Sequence, residues 1–254
     1  LVEDLPRGAL REIFEVNLFG YHDLTRRVLP VMRAQGHGRI INCSSVLGLV
    51  GLQWRGAYVA TKFAMEGLTD VMRLELHGTG IHCILIEPGP ITSMIREKAI
   101  PQFEKWIDWQ NSAQRAKYEQ FMHRLYENRG KDNFELGPEA VTAKLIHALE
   151  SPRPKPRYYV TVPTYLMGMA RRVLPTRALD WLIAHPHEPV DLWVTDQNMP
   201  GLSGVDVARA IRRLRPGQRI AIVSGHVSDE LLAEAAAAGV NEVLGKQDSM
   251  EALG

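Results

Sequence analysis

A chain of 254 residues is long enough for one large domain or two small ones, and 45% hydrophobic with 23% charged residues places it among globular proteins, not disordered or fibrous ones. A net charge of +1 excludes a whole-chain field aimed at nucleic acid or an anionic membrane. No run approaches the roughly 18 apolar residues of a membrane span, and no signal peptide opens the chain. The charge is unevenly spread: from Glu188 onward there are six basic and ten acidic residues, so this end carries −4 and the remainder +5. Leu1 opens directly in a helical pattern with no initiator Met, which leads to the expectation that an upstream segment is missing. Cys43 and Cys83 both lie in apolar, β-branched runs. Both are expected to be buried strand residues in a protein of the reducing cytosol.

Residues from about Pro6 to Gln35 repeat apolar positions at helical spacing, with Pro30 expected to bend or split the helix. Gly36-His37-Gly38 is a helix stop and turn. "RIINCSS" then predicts a buried parallel strand ending in small hydroxyls. Residues 56–78 predict a helix, and "IHCILIEPGP" a second buried strand closed by a Pro-Gly turn. From Ser93 to Gly137 the pattern is helical and irregular, rich in Phe103, Trp106, Trp109, Tyr118, Phe121 and Tyr126. It fits an apolar lid or an ordinary amphipathic pair equally well. Pro138 to Ser151 predicts a helix, "RYYVTVP" a third strand, and residues 164–184 an amphipathic segment. Strands alternating with helices mean a parallel α/β sheet, whose ligands sit at the carboxyl ends of the strands. Ser44, Ser45 and the Pro88-Gly89 turn stand at such ends. Ser44 is expected to be a local turn or cap residue.

The helix after the first strand carries Tyr58 and Lys62 four residues apart, hence on one face. An ammonium beside a phenol stabilises the phenolate and brings a Tyr toward acid/base work. A Tyr and Lys at this spacing are also common surface neighbours, so the pair alone carries little weight. Its context adds weight. Ser45 lies thirteen residues before Tyr58, Asn17 lies mid-helix upstream, where Asn is a poor helix former, and "EPGPITS" follows the next strand. This ordered set resembles the short-chain dehydrogenase/reductase family over about residues 1–184. The resemblance implies that Tyr58 exchanges a proton with the substrate oxygen while hydride moves to or from carbon. Ser45 would hydrogen-bond that oxygen, Lys62 would lower the Tyr58 pKa and hold the nicotinamide ribose, and Asn17 would anchor a water linking Lys62 to solvent. Pro88, Gly89, Thr92 and Ser93 would border the nicotinamide of NAD or NADP, with Ser93 standing where the family usually has Thr. The family's opening strand and Gly-rich phosphate turn have no counterpart before Asn17.

"DLWVTDQNMPGLSG" ends an apolar strand at Asp196, "RIAIVSG" ends one at Ser224, and "NEVLGK" ends one at Lys246. This set resembles the receiver domain of bacterial response regulators from its third strand onward, over about residues 190–254. By that resemblance Asp196 would accept a phosphoryl group, Ser224 and Lys246 would contact its oxygens, and Asp196 with the Asn198 carbonyl would help bind Mg²⁺. The family's leading acidic pair is absent, and Gln247 stands where the family has Pro.

The expected architecture is therefore an incomplete Rossmann-like parallel sheet (1–184) joined by a linker (185–189) to an incomplete flavodoxin-like receiver sheet (190–254). The expected function is a NAD(P)-dependent oxidoreductase acting on an alcohol or ketone, with an apolar small-molecule substrate and no nucleic-acid partner. The expected state of this chain is a truncated, fused product of impaired activity. A phosphorelay module and a non-catalytic fragment are the alternatives. The strands "RIINCSS" and "DLWVTD" would each lack a neighbour, so their open edges are expected to join into one sheet or to pair two chains.

Overall fold

The computed structural model describes residues 1–126, 134–185, 193–199, 202–214 and 216–246. Contacts divide the chain into two units, Leu1–Val173 and Leu174–Gly254. The second unit thus takes in residues 174–184, which lie before the expected linker.

In the first unit, α1 (Arg7–Phe14) runs through a π-helical turn (Glu15–Phe19) into α2 (Gly20–Gln35). The helical stretch predicted from Pro6 is therefore interrupted at Asn17, not at Pro30, which sits inside α2. Such single π turns widen a helix by one residue and often occur at functional sites. Gly36 ends α2 in the left-handed conformation at φ 75°, where the lack of a Cβ removes the steric cost.

Strand β1 (Gly38–Cys43) pairs in parallel with β2 (Ile81–Glu87), which pairs in parallel with the short β3 (Arg157–Tyr159), in the order β1-β2-β3. The third strand is shorter than "RYYVTVP" suggested, because Val162 and Pro163 already belong to α7 (Val162–Val173). Pro is tolerated in a first helical turn, where its missing N–H has no intrahelical partner to lose. The long α3 (Gly56–Glu75) follows β1, and Leu76, Ile40, Ile81 and Cys83 close a core cluster on the sheet. On the sheet's other side, α6 (Glu139–Glu150) sets Ala148 against Ile84, Ile86, Tyr158 and Val160. Cys83 is buried as expected, but Cys43, at the end of the edge strand β1, is exposed.

Between β2 and α6 lie α4 (Ile95–Trp106) and α5 (Arg115–Tyr126). Tyr118 and Phe121 of α5 pack on Trp54, which belongs to the connection entering α3, and Phe103 of α4 packs on both of them. Trp54 stacks on Phe121 at 4.5 Å and meets Tyr118 edge-on at 5.3 Å, and Tyr118 is fully buried. Trp54 pays for this position with a φ of 69°, a conformation that bulky residues avoid.

The second unit opens with α8 (Thr176–Ala184), so the amphipathic segment predicted over 164–184 is two helices broken at Pro175. Its sheet orders β4 (Trp193–Asp196), β7 (Ile220–Ser224) and β8 (Glu242–Gly245) in parallel, with α9 (Gly204–Leu214) and α10 (Asp229–Ala237) as crossovers. Asn198–Met199 (β5) and Leu202–Ser203 (β6) form a small antiparallel hairpin. Among the described residues each unit pairs strands only within itself, so the expected continuous sheet does not form. Helical crossovers return each strand beside its own predecessor, which leaves β1 and β4 as edges of separate sheets.

Candidate active site

Three elements converge at the carboxyl end of β1. The ladder continues past the strand through Ser44 N–H to the Ile86 carbonyl (2.7 Å) and Val46 N–H to the Pro88 carbonyl (2.8 Å). These two bonds seat the Ser45 turn beside the Pro88-Gly89 turn. Gly89 allows the close fit, since a Cβ there would lie 2.1 Å from the Thr161 hydroxyl oxygen. Ser45 caps the short helical turn Val46–Gly48 by accepting from Leu47 N–H at 3.2 Å. The capping role expected of Ser44 thus belongs to Ser45, and among the described residues the buried Ser44 hydroxyl has no hydrogen-bond partner.

Tyr58 sits in the first turn of α3. Burial pushes its phenol above the ordinary value, while a hydrogen bond with Ser45 and the nearby charge of Arg55 draw it back. Lys62 is buried one turn later. Its ammonium donates to the Cys43 carbonyl at 2.8 Å and lies over the Tyr58 ring, 5.5 Å from the centroid. The Lys62 ammonium is held at the strand end and over the ring face, while Ser45 and Arg55 are the groups that draw the phenol down. Burial also lowers the Lys62 pKa, against the pull of Cys43 and Glu66. Asn17, on the π turn, donates to the Thr61 hydroxyl at 3.2 Å, and Thr61 donates to the Tyr58 carbonyl at 2.8 Å. The turn therefore clamps the front of α3.

Thr92 and Ser93 are exposed, with Thr92 N–H bonded to the Leu136 carbonyl at 2.9 Å. No recorded contact joins either hydroxyl to Tyr58 or Lys62 among the described residues.

A charged cluster adjoins these residues that the sequence reading missed. Arg157 of β3 bonds Glu66 of α3, Glu87 at the end of β2 (2.5 Å), and both oxygens of Asp70 (2.7 and 2.8 Å). Glu87 is fully buried, and Glu66 nearly so. A cleft of about 340 Å³ opens over the cluster, lined also by Tyr159, Arg171 and Arg172. The available signal was a single carboxylate inside the otherwise apolar "IHCILIEP", since a buried charge needs a partner.

Burial, the Glu66 charge and only partial relief from Arg157 push Glu87 up to about 8 from an ordinary 4.5. The folded protein thus holds this proton more tightly than the unfolded chain. The resulting stabilisation is complete below pH 4.5 and is lost as pH rises to about 8. Thermal melts of the full chain should therefore fall in midpoint across that interval. Glu87→Gln, an isostere of the protonated acid, should flatten the profile and leave stability near neutral pH unchanged or raised. An equally steep profile in the variant would assign the proton elsewhere.

In the second unit, Lys246 pairs with Asp196 at 2.7 Å, and Asn198 N–H donates to the Asp196 carboxylate at 3.0 Å. Burial raises the Asp196 pKa, but these two partners outweigh it and hold it below the usual carboxylate range. Ser224 instead donates to the His226 carbonyl at 2.6 Å. Among the described residues no group of three or more His, Cys, Asp or Glu could hold a metal ion, and Pro200-Gly201 and Gln247 lie outside those residues.

Residues 1–103 match the short chain dehydrogenase family model. Relatives support the assignment of this part to that family. Residues 172–254 match the response regulator receiver domain model. The dehydrogenase part is similar to the uncharacterized oxidoreductase YbbO of Escherichia coli, with 40% identity over 180 residues, 70% of this chain and 60% of the relative. It is 31% identical to the NADPH-dependent 3-dehydrocapnine reductase of Ornithobacterium rhinotracheale over 70% of this chain and 62% of that one. A short-chain dehydrogenase structure from Streptomyces avermitilis shares the fold, with a TM-score of 0.53 and 22% identity over 72% of this chain and 65% of that one. The chain spans about 60% of the length of YbbO. Among the described residues no helix is long and apolar enough to cross a membrane.

Proposed function

We propose that residues 1–173 carry the proton-transfer part of a NAD(P)-dependent oxidoreductase acting on an alcohol or ketone. The observation that carries this reading is the buried Lys62 ammonium, one turn further along the same helix face, lying over the Tyr58 ring at 5.5 Å from its centroid. Tyr58 is the general acid in reduction and the base in oxidation, and Ser45 holds the substrate oxygen against it. The residues fit a nicotinamide ribose. An ammonium has three donors, and among the described residues only one of those on Lys62 is engaged in a hydrogen bond, to the Cys43 carbonyl. When bound, the cofactor supplies or takes the hydride. Lys62 would hold the ribose hydroxyls, and Pro88, Gly89, Thr92 and Ser93 would border the ring. The aromatic wall of Trp54, Phe121 and Phe103 beside the Ser45–Tyr58 connection favours an apolar substrate.

The test uses this chain extended at Leu1 by the preceding segment of the E. coli relative. NADPH or NADH oxidation is followed with a panel of apolar ketones and aldehydes. Ketone-dependent oxidation supports the reading. Tight cofactor binding without turnover of any carbonyl would overturn it.

A second reading treats Asp196 as a phosphoacceptor, supported by the Lys246–Asp196 contact at the strand ends. We expect little Mg²⁺-dependent labelling by acetyl phosphate, because the sequence supplies no acidic pair to share the metal with Asp196. Stoichiometric label that disappears in Asp196→Ala would show instead that this carboxylate works without such a pair.

A further inference from the structure

Tyr58, Lys62, Glu66 and Asp70 recur at four-residue intervals along α3, so the face that carries the proposed proton-transfer pair runs on for two more turns. All but Tyr58 of this series have a recorded contact with β1 or β3. Lys62 reaches the Cys43 carbonyl, while Glu66 and Asp70 reach Arg157. Glu66 also supports the Ser45 turn. A Cβ on Gly48 would lie 2.8 Å from the Glu66 Cγ and 2.7 Å from the Ser44 hydroxyl oxygen, so the backbone of this turn rests directly on the glutamate. Glu66 is thus wedged between the Ser45 turn on one side and Arg157 with Glu87 on the other.

We propose that Glu66 is a positioning residue for Lys62, and that the Glu66–Arg157–Glu87 cluster sets the charge and aim of the Lys62 ammonium from one helical turn away.

Geometry and charge support it together. The Lys62 ammonium is buried and has no recorded carboxylate contact within ion-pair distance among the described residues. Its proton is disfavoured by burial, and Glu66 is one of the two groups that oppose the loss, the other being Cys43. The charge that Glu66 can offer depends on what surrounds it. From β3, Arg157 neutralises it in part. From β2, Glu87 competes for the same guanidinium. From α3 itself, Asp70 binds the second guanidinium nitrogen and also Arg73 at 2.8 Å. Across the cleft stand Tyr159 and the arginines of α7, Arg171 and Arg172. Glu66 Oε1 and Glu87 Oε2 are both buried without a hydrogen-bond partner among the described residues. Two carboxyls in one buried site do not both ionise freely, and here Glu87 keeps its proton beside the Glu66 charge. Loss of the Glu87 proton adds negative charge to the cluster that Glu66 carries to within one turn of Lys62, and so strengthens the Lys62 hold on its own proton.

The consequence for catalysis rests on the reading of Tyr58 and Lys62 given above, but the coupling is measurable without turnover. The full chain is labelled at lysine Cε and Nζ, and the Lys62 resonance is assigned by its loss in Lys62→Arg. In the unmodified protein the Lys62 signal should show a second inflection near pH 8, where Glu87 releases its proton. In Glu66→Gln the main Lys62 titration should move down by about one pH unit, as expected for a lost opposite charge close by in a partly buried site. Glu66→Asp, which keeps the charge on a shorter stem, should restore most of that shift. A Lys62 titration with no inflection near pH 8 overturns the proposal even if Glu66→Gln does not fold. So does a folded Glu66→Gln protein whose Lys62 titrates as before, because a purely structural Glu66 leaves that signal in place. Failure of the reductase assay with the coupling intact would count against the functional reading alone.

Discussion

Tyr58→Phe is expected to lower ketone-reducing turnover of the extended chain by about 10²–10⁴-fold, the range typical of a lost general acid. The variant removes one oxygen and leaves the ring under the Lys62 ammonium, so the packing of α3 is kept. Cofactor affinity should change little, since the Lys62 bond to the Cys43 carbonyl does not involve the phenol. The loss should therefore fall on kcat and not on KM. Full turnover in Tyr58→Phe would remove the assignment. Because burial holds the phenol above its ordinary value, the tyrosine stays protonated through neutral pH, and reduction should proceed with a flat profile there. Oxidation, which needs the phenolate, should instead climb with pH. The climb requires no cofactor titration, since the acid/base group is on the chain.

Arg157→Met is expected to destabilise the first unit by about 3–5 kcal/mol, the usual consequence of removing one member of a buried ion cluster. The change leaves Glu66 and Glu87 in the interior without their counter-ion and frees Asp70 from its bidentate partner. β3 is only three residues long, and Arg157 is its first residue, so the loss should open the β2–β3 ladder before the rest of the sheet. Amide hydrogen exchange at Leu85 and Val160, whose N–H groups bond the Pro156 and Glu87 carbonyls across this ladder, reads this directly, with protection lower by about 10²–10³-fold. Adding Glu66→Gln and Glu87→Gln to Arg157→Met should recover much of the protection, since neutral buried groups need no counter-ion. Unchanged exchange in Arg157→Met would mean that the cluster contributes little and that its carboxyls are all protonated.

Much of the backbone plan was legible because apolar periodicity reports which face is buried. "RIINCSS" and "IHCILIEP" form adjacent parallel strands, and the span read as a helix from Gly56 is α3. Polar exceptions inside those patterns were harder to place. Asn17 was visible as a poor residue for a helix interior, yet the π turn that houses it has the same apolar spacing as an α-helix and left no separate trace. The aromatic residues between Ser93 and Gly137 could not be assigned to lid or core from spacing alone. Trp54, the partner of Tyr118 and Phe121, lies far away in sequence and is held in a conformation that its residue type gives no reason to expect.

By itself the sequence determined the two α/β parts, the order of their strands and helices, and the placing of Ser45, Tyr58 and Lys62 at one strand end. All of these follow from local periodicity and from spacings of a few residues to about one loop. Only the tertiary structure decided what the charges do. Arg157 is 91 residues from Glu66 and 70 from Glu87, and nothing in local pattern links three residues that meet because β2 and β3 are neighbours. The aim of Lys62 was decided in the same way. Its position on the helix came from the four-residue interval, but its ammonium is taken by a strand-end carbonyl, and burial works on its charge against Cys43 and Glu66. Burial and long-range pairing set the electrostatics of a site, and neither is a property of the local sequence.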